Sequence, residues 1–86
     1  MGEKTIGILG GMGPEATADL FMRIIRATPV KRDQDHLHVI IDSNSKIPDR
    51  TPAILGTGEN PLPLLVETGK RLENAGADLL IMPCNT

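Results

Sequence analysis

Three short runs of apolar residues predict three β-strands. They cover residues 5–9, 38–42 and 77–82. All three are rich in aliphatic and β-branched side chains, which favour strands. The second run places Val39, Ile40 and Ile41 in unbroken succession. Because such a run is typical of a strand covered on both faces, it indicates a sheet with helices on each side.

The stretches between these runs have the periodicity of amphipathic helices. The first begins at Pro14, since the missing N–H of proline costs nothing at the first helical position, and extends to about Ala27. Its apolar positions recur at helical spacing: Ala16, Leu20, Phe21, Ile24 and Ile25. The second helix begins near Pro61 or Pro63 and ends before Gly76, which suits a helix C-terminal cap.

The order of elements is therefore β-α-β-α-β, with a long polar loop over residues 43–60. This alternation predicts an α/β fold with a parallel sheet and right-handed crossovers. Ligands of such sheets gather at the carboxyl ends of the strands, which are followed here by residues 10–13, 42–51 and 84–86. Three strands and two helices leave a parallel sheet partly bare. We therefore expect residues 1–86 to be the first part of a longer protein.

Composition excludes several classes of function. The chain has 86 residues, 9 basic and 11 acidic, and a single aromatic residue, Phe21. It thus lacks the basic surface and the stacking platform that nucleic-acid binding needs. Apolar runs fall far short of the roughly 20 residues of a membrane span. One cysteine cannot form an internal disulfide, so we expect a cytoplasmic protein. Together, these features predict neither nucleic acid nor membrane as a partner.

A glycine-rich turn follows the first strand. Residues 11–16 fit the pattern G-x-G-x-x-A between a strand and a helix, where backbone amides can face an anion at the helix N-terminus. The anion could be a carboxylate or the phosphates of a dinucleotide, and Asp42 at the end of the second strand would suit the ribose. Alternatively, the glycines only permit a tight turn. The pattern leaves all three interpretations open.

Arg50 and Cys84 are the candidate reactive side chains of the other two segments. Arg50 lies between Pro48 and Pro52, in a stiffened loop, and its planar fork suits a carboxylate. Cys84 comes just after the third strand, where a following helix can lower a thiol pKa. Such help matters because a free thiol is only about 3% thiolate at pH 7. The alternative for Cys84 is a small core residue.

His36 and His38 would share one face of a strand, an arrangement that a metal could use. The chain has only these two histidines and one cysteine, so the sequence predicts no metal site.

Four motifs occur together in order: residues 6–14 (IGILGGMGP), 33–36 (DQDH), 47–51 (IPDRT) and 83–86 (PCNT). In this combination the chain resembles the amino-terminal part of the aspartate/glutamate racemase family, with the aspartate racemases as its nearest branch. The Asp-Ser-Gly turn of the glutamate racemase branch is missing here. The resemblance implies two similar α/β halves, of which this chain holds the first, and no cofactor.

The resemblance also implies a role for individual residues. Cys84 matches the first of two cysteines that flank the α-carbon of the substrate, and Arg50 matches the arginine that grips a substrate carboxylate. Met12 lies in the turn on the substrate side. Asn85 and Thr86 match residues that bind the α-carboxylate or amine region.

The function implied is therefore a cofactor-independent racemase of aspartate, with glutamate as a second candidate substrate. One cysteine would abstract the α-proton and another would return it. With a single cysteine, the 86-residue chain alone is expected to be inactive. Three alternatives stay open: a nucleotide-binding module built on residues 11–16, a racemase or isomerase of another small carboxylic acid, and a carboxylate-binding domain without catalysis. The sequence also leaves a homodimer open.

Overall fold

The computed structural model describes residues 3–83, so the predictions at Cys84, Asn85 and Thr86 lie outside the described residues. The elements in chain order are β1 (Ile6–Gly10), α1 (Pro14–Ala27), a 3₁₀ turn (Asp33–Asp35), β2 (Val39–Ser43), α2 (Arg50–Ile54), α3 (Leu62–Asn74) and β3 (Leu79–Ile81). The predicted α/β class is confirmed. In this part of the chain, no helix is long and apolar enough to cross a bilayer.

The three strands form one parallel sheet in the order β2-β1-β3. Central β1 pairs on both sides, with Ile8 opposite Ile41 on one neighbour and opposite Ile81 on the other. The strands predicted at 5–9 and 38–42 both begin and end one residue later in the structure, where the ladder runs from the pair Ile6 and Val39 to the pair Gly10 and Ser43. The carboxyl ends of all three strands thus lie at one edge of the sheet.

Helices α1 and α3 cover opposite faces of this sheet. A Cβ added at Gly7 would lie 2.7 Å from the Cβ of Ala77, just after α3, and 3.5 Å from that of Leu72 within it. A Cβ added at Gly10 would instead overlap the side chain of Thr17 on α1. Because β2 and β3 lie on opposite sides of β1, the strand order reverses at β1. The crevice beside the carboxyl end of β1 is therefore the place where α/β sheets bind ligands.

The core between these layers is small. Its most buried apolar side chains are Ile8, Leu9, Ile47 and Leu72. Strand β3 is one of the two edge strands in the described part, and its Leu79 and Leu80 stay 55% and 43% exposed.

The predicted helix ends are confirmed. Pro14 is the first residue of α1, and Gly76 follows α3 with φ +109°. The N–H of Ala77 donates to the carbonyl of Leu72, and that of Gly76 to the carbonyl of Glu73. These two bonds form a Schellman cap. They also use the N–H of Ala77, so β3 begins later than the predicted residue 77.

Helix α2 corrects the prediction that residues 43–60 form one long loop without a helix. Arg50 is its first residue and Pro52 its third. Proline disfavours helix at the residue before it, so the sequence Thr51-Pro52 favoured a loop. In the first turn of a helix, however, the missing N–H of proline leaves no bond unmade.

Candidate functional site

A cleft of about 390 Å³ lies at the carboxyl edge of the sheet. Met12 and Gly13 line it from the turn after β1, and Ser45, Ile47 and Arg50 line it from the segment after β2. Two of the side chains expected in a substrate site, Met12 and Arg50, are thus brought together.

The turn after β1 requires glycine at Gly11. Its φ is +104°, a region that L side chains rarely adopt. A Cβ there would also overlap the backbone of Asn44, the first residue after β2. The two strand-ending segments therefore touch each other through the backbone at this point.

Thr17 of α1 fixes the same turn. Its side chain is buried, its Oγ1 accepts the N–H of Gly11 at 2.9 Å, and its hydroxyl donates to the carbonyl of Gly13 at 3.1 Å. The expectation that the amides of the turn face an anion is therefore too broad, because the Gly11 amide already has a partner. The N–H groups of Met12 and Gly13 have no acceptor among residues 3–83, and these two remain for a ligand.

Asn44 anchors the segment after β2. Its N–H donates to the carbonyl of Gly10 at 3.0 Å, and its Oδ1 accepts the N–H of Lys46 at 3.0 Å. Its Nδ2 donates to the Oγ1 of buried Thr68 on α3 at 3.1 Å. Ile47, 5% exposed, packs into the core with Leu9 and Leu72.

The sequence did not predict the anchoring roles of Thr17, Asn44 and Thr68. The only local signal was Asn44 itself, because asparagine after a strand often accepts the N–H two residues on. Its bond to Thr68 joins positions 24 residues apart and has no local signal.

Arg50 brings a cation into the cleft. It is half-buried at the start of α2 and forms no ion pair with any carboxylate of residues 3–83. By contrast, Arg71 is paired with Asp42, Nε to Oδ2, at 2.9 Å. A partly desolvated guanidinium gains from a carboxylate partner, so Arg50 is suited to an acidic ligand.

The pair of Asp42 and Arg71 also bears on the dinucleotide alternative. Asp42 was the residue that would hold a ribose, and its carboxylate is bound to α3 instead of lining the cleft.

The two histidines do not line the cleft either. His36 lines an apolar cavity beside Phe21, and His38 Nδ1 lies 3.5 Å from Thr5 Oγ1. Residues 3–83 hold no group of three side chains able to bind a metal ion.

The family model described as Asp/Glu/hydantoin racemase matches residues 9–86. The chain belongs to the Asp/Glu/hydantoin racemase family. This match confirms the family membership that the four sequence motifs predicted.

Among solved structures, this racemase-family chain is similar to the aspartate racemase of Picrophilus torridus, with a TM-score of 0.85 and 35% sequence identity. The match covers 93% of this chain and 35% of that one, so the chain spans about a third of the length of that racemase. Of the site residues predicted for a racemase, Met12 and Arg50 lie in the cleft. Cys84, Asn85 and Thr86 fall outside the described residues, so their roles stay predictions.

Proposed function

We propose that the protein carrying this chain is an aspartate racemase that works without pyridoxal phosphate. The observation that carries the proposal is the meeting of Arg50 with the glycine turn in one cleft of a racemase-family chain. The similar structure from Picrophilus torridus, which is named an aspartate racemase, supports aspartate as the substrate. Glutamate is the second candidate, since it offers the same two carboxylates.

In this proposal the cleft binds the substrate through its carboxylates. The fork of Arg50 takes one of them with two hydrogen bonds, and the N–H groups of Met12 and Gly13 are donors for a second polar group. A substrate with only one carboxylate would lose the arginine contact. The selectivity for acidic amino acids thus depends chiefly on Arg50.

The proposed chemistry is a proton exchange at the α-carbon. The thiolate of Cys84 removes the α-proton from one side, and a second thiol of the whole protein donates a proton from the other side. The electron pair left on the α-carbon delocalises into the α-carboxylate, where nearby donors stabilise it. Asn85 and Thr86 are the proposed donors. A free catalytic thiol also favours a cytoplasmic location, where thiols stay reduced.

The test is Cys84→Ala in the whole protein, assayed by chiral analysis of aspartate and by α-proton exchange in D₂O. Racemisation should fall by at least about 10²-fold, because a positioned base contributes 10²–10⁴-fold. Circular dichroism should be unchanged, since alanine is smaller than cysteine. Turnover close to that of the wild type would remove Cys84 from the reaction.

The nucleotide-binding alternative needs a separate measurement. Saturation-transfer NMR on the whole protein should show binding of succinate, a dicarboxylate that lacks the amino group of aspartate, and no binding of NAD. The match of Gly11–Ala16 to a dinucleotide motif is then only a consequence of the tight turn. Micromolar binding of NAD would favour the alternative instead.

A further inference from the structure

Asn44 lies between the two halves of the cleft without lining it. On one side its N–H holds the carbonyl of Gly10, and its backbone packs against the Cα of Gly11. On the other side it begins the segment that leads to Arg50, and its Oδ1 shapes that segment by accepting the N–H of Lys46. A displacement of Asn44 would therefore change the separation of the glycine turn and the arginine.

Thr68 fixes the side chain of Asn44. The Thr68 side chain is fully buried, and its hydroxyl donates to the carbonyl of Leu64 at 2.7 Å. Its single proton is thus used inside α3, so toward Asn44 it can only accept. The amide of Asn44 must then present Nδ2 to Thr68 and Oδ1 to the N–H of Lys46, as observed. A flipped amide would face an acceptor with an acceptor and a donor with a donor.

We propose that Asn44, oriented by Thr68, is a positioning residue that sets the place of Arg50 relative to the glycine turn. This inference rests on the proposed racemase function. Neither side chain lines the cleft, so the pair acts on the substrate through Arg50. Ile47, buried between Asn44 and Arg50, transmits the position because it cannot move without opening the core.

The test is Thr68→Val in the whole protein, because valine keeps the volume of threonine and removes only the hydroxyl. The KM for aspartate should rise about tenfold, the change that the loss of one hydrogen bond typically produces. The kcat should change less than about threefold, since binding to Arg50 is the same in the ground state and the transition state. Thr68→Ser, which keeps the hydroxyl, should retain the KM of the wild type.

Thr28→Val is the matched control. The hydroxyl of Thr28 also donates to a carbonyl four residues earlier, that of Ile24, but it lies far from the cleft at the end of α1. Its loss should leave the KM unchanged. Asn44→Ala provides a second variant should Thr68→Val fail to fold, and the same rise in KM is expected.

A double variant separates positioning from a general loss of stability. When Arg50 is already changed to lysine, Thr68→Val should raise the KM less than about threefold, because the two changes act on one contact. A rise of the same factor in both backgrounds would overturn the inference, as would an unchanged KM for both Thr68→Val and Asn44→Ala. Absence of racemisation in the wild type would instead refute the proposed function.

Discussion

The two segments that form the cleft are anchored by the same device with one difference. After β1, the hydroxyl of Thr17 donates to the carbonyl of Gly13, four residues earlier, and accepts a hydrogen bond from Gly11. After β2, the hydroxyl of Thr68 donates to the carbonyl of Leu64, again four residues earlier, and accepts one from Asn44. The difference lies in the group that donates to each threonine: the backbone N–H of Gly11 donates to Thr17, and the side-chain amide of Asn44 donates to Thr68.

This difference separates the tasks of the two segments. A backbone donor needs no particular side chain, so the turn after β1 depends on glycine geometry. Its hydrogen-bond donors to a ligand are backbone N–H groups, beside the apolar side chain of Met12. The segment after β2 depends on the identity of Asn44 and on the burial of Ile47, and it delivers a side chain, Arg50. Residues of the glycine turn and the cation of Arg50 thus line one cleft.

The largest effect is expected where the two segments touch. Gly11→Ala should lower the free energy of unfolding by about 3 kcal/mol or more, because positive φ costs alanine about 1–2 kcal/mol and overpacking adds about 1–3 kcal/mol. The added methyl would overlap the backbone of Asn44, which cannot rotate away. Urea unfolding of the whole protein measures this loss.

Gly13→Ala is the matched control for Gly11→Ala. Its φ is −106°, and a Cβ there meets no atom within 4 Å. Because Gly13 is the N-cap of α1, where alanine is less favourable than glycine, the variant should lower the free energy of unfolding by about 1 kcal/mol, well below the loss for Gly11→Ala. Equal stability of the two variants would show that the contact between Gly11 and Asn44 is not a constraint on the fold.

The next effect concerns the side chain that the second segment delivers. Arg50→Lys should lower kcat/KM for aspartate roughly 30-fold, about 2 kcal/mol, because an ammonium cannot form the planar bidentate contact. Stability should be unaffected, since Arg50 has no ion-pair partner among residues 3–83. Arg71→Lys, outside the cleft, should leave the kinetics unchanged. Kinetics of Arg50→Lys equal to the wild type would remove this residue from the site.

Thr17→Val tests the anchor of the first segment. The N–H of Gly11 would lose its acceptor in a buried place, at a cost of about 1.5 kcal/mol. The carbonyl of Gly13 would stay paired, because it also accepts the N–H of Thr17 at 3.2 Å. Thermal unfolding should show the loss for valine and recovery for Thr17→Ser. If valine and serine gave the same melting temperature, the hydroxyl would have no role in holding the turn.

The first segment could be predicted from the sequence far better than the second. Pro14 and the glycines mark the turn after β1 locally, and Gly76 marks the end of α3 in the same way. In contrast, α2 was not predicted, because Pro52 is compatible both with the first turn of a helix and with a loop. The pairing of Asn44 with Thr68 depends on how α3 packs on the sheet, which no local pattern contains.

The smallest effect is expected at the exposed ion pair that also joins the end of β2 to α3. Asp42, two residues before Asn44, is paired with Arg71 of α3, but the two side chains are 24% and 53% exposed. Solvent screens such a pair, so Asp42→Asn should lower the free energy of unfolding by less than about 1 kcal/mol, and less again in high salt. Arg71 would also keep its ion pair with Glu67 at 3.6 Å.

The KM of the Asp42→Asn variant for aspartate should stay unchanged, because neither Asp42 nor Arg71 lines the cleft. Urea unfolding at two salt concentrations measures the first expectation, and steady-state kinetics the second. A rise in KM matching that of Thr68→Val would mean that any link between β2 and α3 positions Arg50, and the contrast between the buried and exposed links would fail.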